Sequence, residues 1–164
     1  MEKKRPFSKL KKQIDALFVP ELKMHFCCTA YPIRGQWKSN NSIPRYYLKL
    51  GKEIIWDYPK DIFKSSIVEI WGFGRNNGLS ELVREYIDTP VDKLLLKKFK
   101  ADKWECICQY VGMNYQETIG FNYKLTELFK AGDRRLGKEK LLAWAANVKN
   151  PIVDRILDRR FKTV

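Results

Sequence analysis

Four carboxylates near the middle of the chain, Glu53, Asp57, Asp61 and Glu69, are the residues closest to metal chemistry. A metal-dependent nuclease needs paired carboxylates to hold Mg²⁺ and a lysine to polarise the attacking water, and Asp57 with Glu69 is the candidate catalytic pair. Asp57 also stands directly before Tyr58-Pro59, where a carboxylate caps a turn, and no E-x-K follows, so turn chemistry is the stronger reading. There is one histidine, and no serine or cysteine has a recognisable base, so hydrolase triads are poorer candidates still. His25, Cys27, Cys28, Cys106 and Cys108 include enough ligands for zinc, but structural sites use C-x₂₋₄-C knuckles. Adjacent cysteines on a strand point to opposite faces, so these read as core thiols and no metal is expected. The run GFGRNNG has the spacing G-x-G-x-x-x-G, which does not match a dinucleotide-binding turn. It reads as an ordinary loop, with anion capture by Arg75 as the alternative, and no cofactor is expected.

The cations offer more. The chain carries a formal charge of +13 with a pI near 9.6, outside the ordinary range for a small enzyme. Residues 1–12 hold +5 of it and residues 124–164 hold +6, so the surplus is terminal. In the C-terminal half, Arg134, Arg135, Lys138 and Lys140 are followed by Arg155, Arg159, Arg160 and Lys162. Arg155 and Arg159 are one helical turn apart with Lys162 three residues on, which stacks them on one face. Asp154 and Asp158 can pair with these arginines, yet eleven cations against five acids cannot all be neutralised locally. A second candidate surface is Arg45, Tyr47 and Lys49, one stacking ring between two cations on a strand face; a plain solvated face is the alternative. The helices around Gly137 do not fit a helix-turn-helix register.

The elements that must position these residues begin with IPRYYLKLGKEIIWDYP, Ile43 to Pro59. Tyr46, Leu48 and Leu50 alternate with polar residues, and Ile54, Trp56 and Tyr58 resume the alternation after Gly51-Lys52. This predicts a β-hairpin closed by a type II′ turn, with Pro44 and Pro59 bracketing it. KMHFCCTAY, Lys23 to Tyr31, reads as a strand pairing with the hairpin, and Ser65 to Trp71 as a fourth, short strand. Ser8 is expected to cap a helix burying Leu10, Ile14, Leu17 and Phe18, and Ser80 one burying Leu82, Val83, Tyr86 and Ile87. Thr89-Pro90 is expected to start a further helix reaching Phe99. From Leu125 the pattern is helical to the end, with Asn150-Pro151 opening a last helix that buries Val153, Ile156, Leu157 and Phe161. Residues 102–123 show no regular pattern.

These elements define an α+β fold: a small antiparallel sheet of three to four strands packed against helices, with a helical C-terminal half. At 164 residues and 45% hydrophobic content, one domain is expected over 1–164, sheet-bearing to about 75 and helical from about 79. No apolar stretch reaches 18 residues or follows the charged opening, so a cytoplasmic location, reduced cysteines and no membrane partner are expected.

The phrases IIWDYP, REYIDTP and DRRLGK, with KLKKQIDALFVPELKMHFCC at the front, resemble those of a family of small uncharacterised bacterial cytosolic proteins. The resemblance implies a single cytosolic domain and assigns no catalytic role. Charge therefore decides the functional expectation: a basic, non-enzymatic protein that binds nucleic acid through phosphates, using Arg134, Arg135, Lys138, Arg155, Arg159 and Lys162, with Arg45 and Tyr47 on the sheet. The alternatives are an adaptor or immunity-type protein for an acidic protein partner, and the Asp57/Glu69 nuclease.

Overall fold

Three strands carry the register that the alternation of apolar residues implies. The computed structural model describes residues 7–32, 42–58, 78–99 and 125–162. In it β1 (Met24–Pro32), β2 (Ser42–Leu50) and β3 (Glu53–Tyr58) form an antiparallel sheet in the order β1-β2-β3. Phe26 faces Leu48, and Leu48 faces Trp56. Met24, Phe26, Tyr46, Leu48, Leu50 and Trp56 are buried on the face this register creates. Leu50 pairs with Glu53, so the loop is Gly51-Lys52. Gly51 has φ +64° and Lys52 is not in the positive-φ region, as a type II′ turn requires.

The hairpin departs from strict alternation at one place. Lys49 pairs with Ile54 while Leu48 pairs with Trp56, which leaves Ile55 as an extra residue in a β-bulge. Ile55 is therefore buried beside Trp56 and Ile54 is exposed, contrary to the inward position that simple alternation gives Ile54.

Among the described residues, five helices accompany the sheet. α1 (Phe7–Leu17) buries Leu10 and Ile14, with Phe18 just beyond its end; it begins before Ser8, which lies in the first turn rather than capping it. Its Asp15 fastens it to the sheet: Oδ1 accepts a hydrogen bond from the Phe26 N–H at 2.8 Å, and Oδ2 accepts one from Lys11 Nζ at 2.6 Å. Among the described residues β1 is an outer strand, and this gives one of its backbone donors a partner. α2 (Gly78–Asp88) buries Leu82, Val83 and Tyr86, and it too starts ahead of its expected cap, Ser80.

Thr89-Pro90 closes α2 instead of opening a long helix. The Thr89 hydroxyl donates to the Glu85 carbonyl at 2.6 Å, and only a single 3₁₀ turn, Val91–Lys93, follows. Then come α3 (125–132), α4 (Lys138–Ala145) and α5 (Pro151–Phe161). Asn150 caps α5 as expected, its Oδ1 accepting from the Ile152 N–H at 3.0 Å, and its Nδ2 donates to Glu127 on α3 at 2.9 Å. The expected strand at 65–71, the loop at 72–77 and the segment 102–123 lie outside the described residues. The observed fold is α+β, with helices filling the C-terminal half.

Aromatic rings join these layers into one core. Phe26 stacks on Tyr46 at 6.0 Å and meets Phe129 of α3 edge-on at 5.7 Å; Phe129 contacts Tyr86 of α2 at 5.2 Å, and Tyr86 contacts Phe99 at 5.4 Å. Each such pair contributes about 0.5–1.5 kcal/mol beyond the area it buries.

Candidate nucleic-acid interface

The sequence AGDRRLGK, Ala131 to Lys138, turns the chain from α3 into α4 and decides which C-terminal cations face solvent. Gly132 is closely packed: a Cβ there would lie 2.5 Å from Met24 Sδ and 3.2 Å from the Phe18 ring, so a side chain would have to displace the Met24 side chain. The backbone on either side makes an antiparallel bridge to the end of α1, Val19 N–H donating to the Gly132 carbonyl at 2.8 Å and Arg134 N–H to the Leu17 carbonyl at 2.7 Å. This bridge pins the next residue, Asp133, in the interior, where it is completely buried.

A buried carboxylate must be paired and hydrogen-bonded. Asp133 accepts from Arg135 Nε at 3.0 Å and Arg135 Nη2 at 2.8 Å, from the Arg135 N–H at 3.0 Å, and from the Tyr86 hydroxyl at 2.8 Å. Arg160 of α5 completes the arrangement from the backbone side. Its Nη1 donates to the carbonyls of Ala131 and Asp133 at 3.0 and 2.9 Å, and its Nη2 donates to that of Leu136 at 2.8 Å. The Ala131 carbonyl belongs to the last turn of α3 and the other two follow it in the turn, and a guanidinium suits the negative end of a helix.

The titration behaviour follows from the same contacts. Burial, aided by the Asp133 charge, pushes the Tyr86 phenol well above its ordinary 10.0. For Arg135, burial opposes the charged form, but the hydrogen bond and charge of Asp133 more than offset it and the guanidinium is held more firmly protonated than usual. Arg160 moves the other way, because burial outweighs the attraction of Asp133. Arg135, Arg160, Asp133 and Tyr86 are thus a structural unit that joins α2, the α3–α4 turn and α5.

Arg134, Lys138, Arg155, Arg159 and Lys162, the other cations expected to bind phosphate, point outward. Arg134 is exposed at the turn, and Lys138 is exposed at the start of α4 with its Nζ 5.7 Å from the Phe161 ring. Arg155, Arg159 and Lys162 share the outer side of the last helix and are exposed. Arg155 forms an ion pair with Glu53 at the start of β3, and its hydrogen bond holds the Glu53 carboxyl below the usual 4.5. Lys162 Nζ lies 3.4 Å from Asp158. Arg159 reaches over the hairpin turn: a Cβ on Gly51 would be 3.5 Å from its Nη1. The Gly51 N–H in turn donates to the Lys23 carbonyl at 3.0 Å. The exposed Lys23 and Lys52 therefore flank the spot where Arg155 and Arg159 meet the hairpin. Sequence reading missed these two lysines, since only the docking of α5 on the turn brings them near the arginines. Among the described residues, Arg134, Lys138, Arg159 and Lys52 have no carboxylate within 4 Å.

The expected stacking surface is elsewhere. Tyr47 is half-buried on the central strand, paired with Cys27 and Asp57, and Lys49 Nζ lies 5.8 Å from its ring centre. Arg45 belongs to β2 opposite Thr29, and its side chain lies outside the described residues, as does that of Asp57. Glu69, Arg75, Cys106 and Cys108 also lie outside them. Among the described residues no helix is long and apolar enough to cross a membrane.

No curated protein and no solved structure matches the chain. One family model matches residues 6–161, a span that takes in the Asp133 unit, the hairpin and all of α5. By that match the chain belongs to the SF0329 protein family.

Proposed function

We propose that this protein binds nucleic acid through phosphate contacts, with the outer side of α5, the hairpin turn and the α3–α4 turn as its contact surface. What carries the reading is the sorting of cations: Arg135 and Arg160 turn inward to Asp133 and its neighbouring carbonyls, while Arg134, Lys138, Arg159 and Lys52 stay exposed without an ion-pair partner among the described residues. Arg155 and Lys162 extend the set, since exposed pairs such as theirs with Glu53 and Asp158 are weak and exchange readily for a phosphate. Arginine and lysine contacts to phosphate supply affinity and position but no base readout. Arg135 acts in this reading as a scaffold residue, and Tyr47 with Arg45 as a secondary surface.

The test is recovery of the tagged protein from cell extract before and after nuclease treatment, with the bound material split into nucleic acid and protein. Protected RNA or DNA fragments on the protein are the expected result. A single acidic protein retained in constant ratio after nuclease treatment, with no nucleic acid, would instead support the adaptor reading, because the same cations steer association with an acidic surface.

A further inference from the structure

A cleft of about 390 Å³ opens between residues 95–99 and the helices α3 and α4, on residues that the proposed phosphate surface does not use. Its volume is within the range of small-molecule sites, about 300–1,000 Å³. Leu95, Leu96, Phe99 and Trp144 form its apolar wall, and Thr126, Glu127 and three lysines, Lys97, Lys98 and Lys130, form the polar one. Leu96 is 86% exposed, so the wall includes a large aliphatic side chain that nothing among the described residues covers.

Lys130 of α3 also lines this cleft, and it is only 6% exposed. An ammonium has three donors. Lys130 Nζ makes one long hydrogen bond, to the Lys97 carbonyl at 3.4 Å, and lies 5.7 Å from the Phe99 ring and 5.5 Å from the Trp144 ring. Among the described residues no carboxylate lies within 4 Å of it; Glu127, one turn earlier on the same helix, accepts from Asn150 instead. Ring faces stabilise a cation but do not satisfy its N–H donors. Burial lowers the Lys130 pKa from its ordinary value, and the charge of Glu127, which acts without a direct contact, only partly opposes this. Lys97 and Lys98 line the same cleft, the first paired with Glu85 at 2.9 Å and the second exposed.

We propose that this cleft binds a small apolar carboxylate, its carboxylate accepting hydrogen bonds from Lys130 and its hydrocarbon part lying against Leu96, Phe99 and Trp144. Charge selects the head of the ligand and the walls select its body. A neutral analogue of the same shape keeps the apolar contacts and loses the charge-assisted bond.

The test is calorimetric titration of the full chain with 4-phenylbutyrate and, separately, with the neutral 4-phenylbutan-1-ol. The expected result is saturable binding of the acid and binding at least about tenfold weaker for the alcohol. Lys130→Met should weaken the acid at least about tenfold and leave the alcohol nearly unchanged. Leu96→Asp, at a position too exposed to matter for folding, should weaken both. Should Lys130→Met fail to fold, the acid-to-alcohol ratio in wild type and the Leu96→Asp titration decide the matter. Equal affinity for acid and alcohol, or no saturation by about 10 mM acid, would overturn the proposal. So would wild-type affinity in Leu96→Asp.

Discussion

Asp133 shows how little a charged run reveals by itself. In DRRLGK the acid looks like one more surface charge, yet its carboxylate is fully buried and takes bonds from Tyr86, 47 residues earlier, and from Arg135. Nothing local in the sequence separates Arg135 from Arg134: they are adjacent, one turned inward and one outward, and the choice is made by the bridge that pins residues 132–134 to the end of α1. Removing the Asp133 charge leaves the partly buried Arg135 without its carboxylate. Asp133→Asn should therefore lower stability by about 3 kcal/mol, at the low end of the usual range because Arg135 keeps contact with solvent; urea unfolding measures it. A second outcome follows from Tyr86. Its raised pKa means that the native state keeps a proton which the unfolded chain releases above the ordinary 10.0, so the stabilisation is whole below that value and is lost as pH rises toward the native pKa. Tyr86→Phe should be less stable than wild type by about 1.5 kcal/mol near neutrality. The gap should narrow as the pH rises above about 10 in parallel urea titrations, whereas a constant gap would mean that the phenol does not stay protonated on folding.

At the scale of elements, the hairpin was legible because period two, a leading glycine and bracketing prolines all specify the same object. Gly51 does adopt φ +64° there. Gly51→Ala should cost about 1–2 kcal/mol, since a side chain is strained in that region whatever the space around it. Gly132→Ala should cost about 1–3 kcal/mol for another reason, the 2.5 Å approach to Met24 Sδ. Met24→Ala should recover part of the second loss and none of the first, which thermal melts of the single and double variants distinguish. Two features were not legible. The bulge at Ile55 needs the pairing partner to be seen, because either Ile54 or Ile55 satisfies the apolar pattern. Thr89 looked like the cap of a following helix because its hydroxyl suits that role, but the same hydroxyl also suits the Glu85 carbonyl behind it, and that bond wins.

Across the whole molecule, the excess of positive charge was plain in the composition while its arrangement was not. Folding withdraws two arginines into the Asp133 unit and gathers Lys23 and Lys52 toward the arginines of α5, so the surface that remains is assembled from four separate parts of the sequence. Its central consequence concerns salt. A protein that neutralises about four phosphates of duplex DNA displaces condensed counterions, and log Kobs should fall with log salt at a slope of about −3 to −4. The most direct measurement is fluorescence anisotropy of labelled duplex and single-stranded oligonucleotides over a salt series, with wild type and the triple variant Arg134→Glu, Arg155→Glu, Arg159→Glu. Binding that weakens at that slope for every sequence alike, and that the triple variant abolishes while keeping wild-type stability, is the predicted result. Undetectable binding at low salt, or binding that ignores both salt and charge reversal, would contradict it.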